Sequence, residues 1–312
     1  MRTAAMSLFN KKIMKVALIN DVRFLVSSSS SLKVQGVLKE DALLIDALGS
    51  KGVFCSRESW TDPNFNPSDW DAVIIRSAWD YTENIKGFLS WCEKVSLETL
   101  LFHSFDLVKW NISKTYLIEM FNKGVQTIPS IHLSGEKTFN FSQTLKDVGV
   151  KEWVLKPVIS AGSRGTYRIS TSKMEEVEDL VRQYLVREDM MLQPFISSVE
   201  SHGELSLIYF DGQFSHAALK KAKRGDFRVQ EQWGGSIHKY APKAKQIEWG
   251  EKILSYAPET PLYARVDALF TESGGLILIE LELIEPDLFL RNDSKASGLF
   301  AKAILRRLSE IR

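Results

Sequence analysis

The sequence predicts an α/β N-terminal domain with an open, mostly parallel sheet, followed by an α+β region of two lobes. Three observations predict it. Up to about residue 103, short apolar strands alternate with segments of helical period, the pattern of a parallel sheet covered by helices. Beyond that point strands come in runs with only a few helices between them. The chain is also long: 312 residues exceed what a single core usually serves.

The first strand is 15–20, Lys-Val-Ala-Leu-Ile-Asn, an apolar run that ends near Asp21. Five serines at 27–31 follow as a connection. Residues 35–48 carry apolar side chains at helical spacing, and glycines at 49 and 52 close that helix before a short strand at 53–56. A buried strand at 71–75 comes next, and Arg76-Ser77-Ala78-Trp79-Asp80-Tyr81 stands at its far end. Thr82 is placed to cap a helix running to about residue 97, and 100–103 gives one more strand. Ligands of such sheets bind beyond the carboxyl ends of the strands, which is where Arg76 and Asp80 should lie.

In the second half, helices are expected over 111–122, 136–147 and 174–186, and a last one over 294–311. Strands are expected near 128–132, 153–157, 167–170, 191–194, 205–210, 214–220, 262–270 and 276–283. Asp211-Gly212 reads as a hairpin turn.

Composition narrows the class. Hydrophobic residues make up 44% and charged residues 25%, ordinary for a globular chain. A net charge of +1 argues against a general affinity for nucleic acid or an anionic membrane surface. No apolar run approaches the ~18 residues that span a bilayer. Residues 1–12 read as a tail or an alternative start before Met14, not as a secretory signal. Cys55 and Cys92 have neither a Cys-x-x-Cys partner nor a neighbouring histidine, which fits a reducing cytoplasm.

The chemistry is carried by buried charges. Residues 276–283 read Leu-Ile-Leu-Ile-Glu-Leu-Glu-Leu, and an apolar strand holds carboxylates in its middle only when they are paired or bind metal. Alternation puts Glu280 and Glu282 on one face, and the preceding strand puts Arg265 and Asp267 on one face likewise. A hairpin through Ser273-Gly274-Gly275 sets the two strands side by side, so Asp267 opposes the glutamates. Carboxylates of this kind suit a hard divalent cation, Mg²⁺ above all, which combines one or two of them with phosphates and water. A half-solvated strand would show the same alternation; the unbroken apolar run before Glu280 argues for burial instead.

The strand at 153–157 ends in Lys156-Pro157 and enters Ser160-Ala161-Gly162-Ser163-Arg164-Gly165-Thr166, a loop whose backbone can approach a phosphate closely. It lacks the spacing of a Walker loop. Lys220 and Arg228 bracket a basic stretch that can neutralise a transferring phosphoryl group.

Together these residues resemble the ATP-grasp superfamily. The order is Lys156-Pro157, the glycine-serine loop, Gln193-Pro194-Phe195-Ile196, Gly203-Glu204, Asp211-Gly212, Gly225-Asp226-Phe227-Arg228, Arg265-x-Asp267 and Glu280-x-Glu282. The likeness is to the glutathione synthetase and ribosomal-protein glutamate ligase branch, over 111–291. The segments 76–81 and 279–288 are similar to the cycloserine-forming ligases in particular. The resemblance implies a pre-ATP-grasp domain at 14–108, a small lobe and lid at 109–190, and a large lobe at 191–312. It implies that Lys114 and Lys156 hold nucleotide phosphates beside the loop of Ser163 and Gly165. Gln193 to Ile196 would form the adenine hinge, with Glu204 or Glu200 on the ribose. Asp267, Glu280 and Glu282 would bind metal; Glu282 departs from the pattern, where asparagine is usual. Arg228, Lys220 and Arg265 would face the terminal phosphate. Arg76 would grip a substrate carboxylate and Asp80 an amine.

The implied activity is ATP-dependent, ADP-forming ligation of a small carboxylate to an amine through an acyl phosphate. The substrate would be amino-acid-like or a peptide, and two Mg²⁺ ions are implied, with Mn²⁺ as a substitute. Two other readings remain open: an intramolecular cyclo-ligase, and a nucleotide-binding regulatory module without turnover. The chain is expected to act as a monomer or homodimer, without nucleic acid or membrane partners.

Overall fold

A computed structural model of the chain describes residues 13–25, 31–135, 145 and 149–310. The segments 1–12 and 27–30 and, apart from Leu145, the helix expected at 136–147 lie outside the described residues.

The first sheet contains β1 (Met14–Asn20), β2 (Val53–Ser59), β3 (Ala72–Ile75) and β4 (Leu100–Phe102). Their order is β2-β1-β3-β4, and every pair is parallel. Parallel strands need covering on both faces, which is why β1 and β3 are apolar without interruption. Alternation then sorts their side chains. Val16, Leu18 and Ile74 pack with Leu44 and Leu48 of α1 (Leu32–Gly49). Ala17, Ile19, Val73 and Ile75 pack with Phe88, Cys92 and Val95 of α2 (Ile85–Glu98). Each large apolar side chain buried this way contributes about 1.5–3 kcal/mol. Both cysteines are free and buried.

The cap of α2 differs from expectation. Residues Trp79–Glu83 form a 3-10 turn, and Asn84 accepts a hydrogen bond from the Gly87 N–H, while Thr82 bonds back to the Trp79 carbonyl. The helix expected at 111–122 begins later, as α4 (Tyr116–Asn122), and an unexpected helix α3 (Phe105–Asn111) precedes it. Asn111 explains the break. Its amide donates to the Leu281 carbonyl and accepts from the Leu283 N–H, acting as a strand partner and turning the chain.

A second sheet contains β5 (Ile131–Leu133), β6 (Glu152–Pro157), β7 (Tyr167–Ser170) and β8 (Met190–Pro194), antiparallel in the order β5-β8-β6-β7. Helix α5 (Met174–Leu185) packs on it through Val177 and Val181. Because β8 pairs with β5 and β6, residues 190–194 belong to this sheet.

After the short α6 (Ser198–Ser201) comes the third sheet: β9 (Glu204–Phe210), β10 (Gln213–Lys221), β11 (Ser236–Tyr240), β12 (Tyr263–Phe270) and β13 (Leu276–Glu282). It is antiparallel in the order β11-β10-β9-β12-β13. Asp211 (φ 50°) and Gly212 (φ 73°) make the tight β9–β10 hairpin, as their sequence predicts. Helix α7 (Ala244–Leu254) covers the back of this sheet, where Gly250 meets Tyr209. Helix α8 (Ala296–Glu310) returns to the N-terminal sheet, and Phe300 and Ile304 complete the core around Leu44 and Leu48. No helix among the described residues is long and apolar enough to cross a membrane.

Candidate active site

The three sheets surround one cavity of about 800 Å³. Its floor is the charged face of the third sheet, and register builds that floor. Lys220 lies opposite Glu204, Ser206 opposite Asp267, Asp267 opposite Glu280, and Arg265 opposite Glu282. Opposed residues in an antiparallel pair share a face, so cations and acids from four strands meet.

They meet as ion pairs. Asp267, 1% exposed, accepts from Ser206 Oγ at 2.5 Å, Lys220 Nζ at 3.1 Å and Arg265 Nη2 at 2.9 Å. Arg265 also pairs with Glu282, and Lys220 with Glu204. Lys114 Nζ sits 3.0 Å from Glu280 and donates to the Ser160 carbonyl at 2.8 Å. Burial opposes ionisation of Asp267, yet Arg265 and Lys220 outweigh it and hold the carboxyl well below the usual range. Glu282 goes the other way. Burial, only partly offset by Arg265, pushes it up to about 8, and the charges of Glu280 and Asp267 push in the same direction.

Of the residues expected to act, Arg76, Lys114, Lys156, Ser163, Phe195, Ile196, Glu204, Lys220, Arg228, Arg265, Glu280 and Glu282 line this cavity. Lys156 lacks a salt-bridge partner among the described residues, and burial lowers its pKa. At the hinge, the Phe195 N–H is engaged by the Glu152 carbonyl and the Ile196 carbonyl by the Val199 N–H. Among the described residues the Phe195 carbonyl and Ile196 N–H have no backbone partner, an acceptor and a donor side by side. The Phe227 ring stands edge-on to Phe195, 5.9 Å between centroids.

Other expected residues lie elsewhere. Asp80 is buried beneath Trp60, whose indole N–H donates to it at 2.7 Å, and does not line the cavity. A residue in the middle of the 3-10 turn faces the domain interior, which the strand-end argument could not foresee. Glu200 pairs with Arg168 outside the cavity. The Gln193 side chain donates to Ser130, and Gly165 packs against Pro157. Asp267 lies under the floor, not on it. Among the described residues no three acidic, histidine or cysteine side chains converge on one point, because each floor carboxylate is turned toward a cation. Glu280 and Glu282 do face the cavity, with about a quarter of each side chain exposed (25% and 26%). Two hard oxygen donors in a cation-lined cavity suit Mg²⁺, which commonly takes its remaining ligands from phosphate and water.

Sequence reasoning missed the wall opposite the hinge. It is built from Glu40, Trp79, Tyr81, Glu285, Asp287, Phe289 and Arg291. Arg291 Nη1 lies 3.0 Å from Glu40 and 2.9 Å from Asp287, and Nη2 lies 2.9 Å from Glu231. Two signals pointed to it: the run 284–291 follows directly on the strand of Glu280 and Glu282, and part of it lies in the segment 279–288 already singled out by its resemblance.

A parallel N-terminal sheet, two antiparallel sheets and a cation-lined cleft between them define an ATP-grasp ligase. Comparison with known proteins gives the same class. Residues 22–103 match the family described as D-cycloserine synthetase DcsG, N-terminal domain. The cycloserine biosynthesis protein DcsG of Streptomyces lavendulae is 29% identical over 284 residues, 85% of this chain and 92% of that protein. The crystal structure of D-cycloserine synthetase DcsG superposes with a TM-score of 0.82 at 27% identity, covering 94% of this chain and 99% of that one. D-alanine–D-alanine ligase from Bacillus anthracis shares the fold, with a TM-score of 0.69 at 15% identity over 96% of this chain and 98% of its own.

Proposed function

We propose that the chain is an ADP-forming carboxylate–amine ligase that activates a small amino-acid-like carboxylate as its acyl phosphate. The observation that carries this reading is the meeting of Lys114, Lys156, Lys220, Arg228 and Arg265 with Glu280 and Glu282 around one cavity. That set matches the demands of phosphoryl transfer, where positioning and charge neutralisation do most of the work. The adenine edge offers a donor and an acceptor, which suits the Phe195 carbonyl and the Ile196 N–H. Glu204 faces the ribose. Lys156, without an anionic partner, takes the phosphates together with Lys114 and the Ser163 loop.

Glu280 and Glu282, with Asp267 behind them, would hold Mg²⁺, one ion or two, and the metal would offset the charge of the terminal phosphates. The carboxylate attacks the γ-phosphorus, the bond to ADP breaks, and the acyl phosphate carries a good leaving group. An amine then attacks the acyl carbon, loses a proton and expels phosphate. Arg228, which lines the cavity, stacks over Trp233 at 3.7 Å and pairs with Asp226, would face the same phosphate. Arg76 holds the substrate carboxylate.

A second reading is favoured by the match of residues 22–103 to the N-terminal domain of a cycloserine-forming enzyme. There the amine and the carboxylate belong to one molecule, and ligation closes a ring. Both readings are tested by an ADP-release screen against pools of amino acids and small peptides with mass analysis of the product. A product one water lighter than a single substrate marks cyclisation, and a product joined from two marks ligation. Mg·ATP bound without turnover across the screen would remove both and leave a regulatory module.

A further inference from the structure

The cavity ends, at the N-terminal sheet, in two groups of opposite charge whose hydrogen bonding the described residues leave incomplete. Arg76 is 1% exposed, and its Nε and Nη1 hydrogens have no acceptor. Asp41 forms an ion pair with it at 3.8 Å, too long for a hydrogen bond. Glu285 is the complement. Every other acid lining the cavity pairs with a lysine or arginine, as described above. Among the described residues Glu285 has no lysine or arginine within ion-pair distance; it receives the Tyr81 hydroxyl and its own backbone N–H, and Lys114 attracts it from farther off. Burial pushes its carboxyl up to about 7, a shift that Tyr81 only partly offsets.

The fold holds these two residues together. The Tyr263 hydroxyl, at the centre of the junction, shares its hydrogen between the Ile75 carbonyl at 2.6 Å and the Ile284 carbonyl at 2.8 Å. The residues that follow those carbonyls are Arg76 and Glu285. Both charges act on that same hydroxyl, the guanidinium lowering its pKa and Glu285 raising it. Trp79 fixes the second chain to the first by donating to the Glu285 carbonyl at 2.9 Å. Yet Arg76 and Glu285 form no ion pair with each other. A half-buried carboxylate and a buried guanidinium left this way cost stability unless a ligand completes them.

We propose that this end of the cavity is a subsite for a zwitterionic α-amino acid or its derivative. Arg76 takes the carboxylate through its free N–H groups, and Glu285, oriented by Tyr81, takes the ammonium. Glu285 thereby fills the role that sequence reasoning gave to Asp80, which is turned away beneath Trp60. The proposal deepens the ligase reading and rests on it for the fate of the bound amino acid.

The test is a set of titrations followed by saturation-transfer NMR. The probes are D- and L-alanine and D- and L-serine, each against its des-amino acid, propionate or 3-hydroxypropionate. They are run with Mg²⁺ and AMP-PNP present and again without them. At least one amino acid should bind tenfold or more tighter than its des-amino acid. Glu285→Gln should weaken that amino acid tenfold or more and shrink the preference to within twofold, and Tyr81→Phe should cause a smaller loss in the same direction. The melting temperature of each variant reports its folding. Equal binding of amino and des-amino acids, no binding by any amino acid in the set, or wild-type affinity in a folded Glu285→Gln would each overturn the proposal. Failure of AMP-PNP to bind the wild type would instead remove the ligase reading, and the nucleotide-free titrations would still decide the subsite.

Discussion

Tyr263→Phe isolates one hydroxyl on which the junction between the N-terminal sheet and the 284–291 segment depends. The ring is fully buried, stacked on His103 at 4.1 Å and edge-on to Phe300 at 5.7 Å, and phenylalanine keeps those contacts. No cavity opens, so the cost is the hydrogen bond alone. A net hydrogen bond contributes about 0.5–1.5 kcal/mol, and a buried carbonyl left short of a donor adds up to about 1–3 kcal/mol. The hydroxyl has one hydrogen for two carbonyls, so a loss of about 2 kcal/mol is expected. For a chain of 312 residues, whose unfolding entropy is about 2.1 cal/mol/K per residue, that lowers the melting temperature by roughly 3 °C. Scanning calorimetry, with urea unfolding as a second measure, reads the change directly. The substitution should also weaken amino-acid binding more than AMP-PNP binding, because it loosens Arg76 and Glu285 and touches nothing at the hinge. A melting temperature within about 1 °C of wild type would refute the reasoning.

Lys156→Ala should weaken Mg·AMP-PNP binding about 10–100-fold in isothermal titration, the worth of a charge-assisted hydrogen bond to phosphate; unchanged affinity would remove Lys156 from the nucleotide site. Burial, opposed in part by the Trp60 indole, pushes Asp80 up to about 6. Between about pH 4 and pH 6 the folded protein therefore holds a proton that the unfolded chain releases, and stability falls as pH rises through that window. Asp80→Asn keeps the acceptor for Trp60 without the charge. It should match wild type near pH 4 and exceed it by about 1–2 kcal/mol at pH 7–8, and a difference that does not change with pH would contradict this. Gly250→Ala would place a Cβ 2.1 Å from the Tyr209 hydroxyl and 3.0 Å from Leu207 Cδ1. The overpacked contact between α7 and β9 should cost about 1–3 kcal/mol by urea unfolding.

Much of the fold follows from local pattern. The apolar runs of β1 and β3, the alternation that puts Glu280 with Glu282, and the left-handed pair Asp211-Gly212 each act over a few residues, and the structure shows each where the pattern puts it. Local pattern also misleads where distant partners intervene. The break between α3 and α4 comes from Asn111 bonding to Leu281 and Leu283, far along the chain. Strand β11 has exposed, polar positions because it is an edge, and periodicity gave no sign of it.

The sequence by itself determined the class of protein: the strand-helix alternation, the order of its phosphate-type motifs, and acids placed where only ion pairing or metal could keep them. Tertiary structure alone decided which acid meets which cation. Register sets Asp267 beneath Arg265 and Lys220, a 3-10 turn carries Asp80 into the interior, and Tyr263 brings Arg76 beside Glu285. The physical reason is range. Propensity and side-chain period are read within a turn or a strand, whereas the charge balance of a buried group depends on whatever the whole chain packs around it.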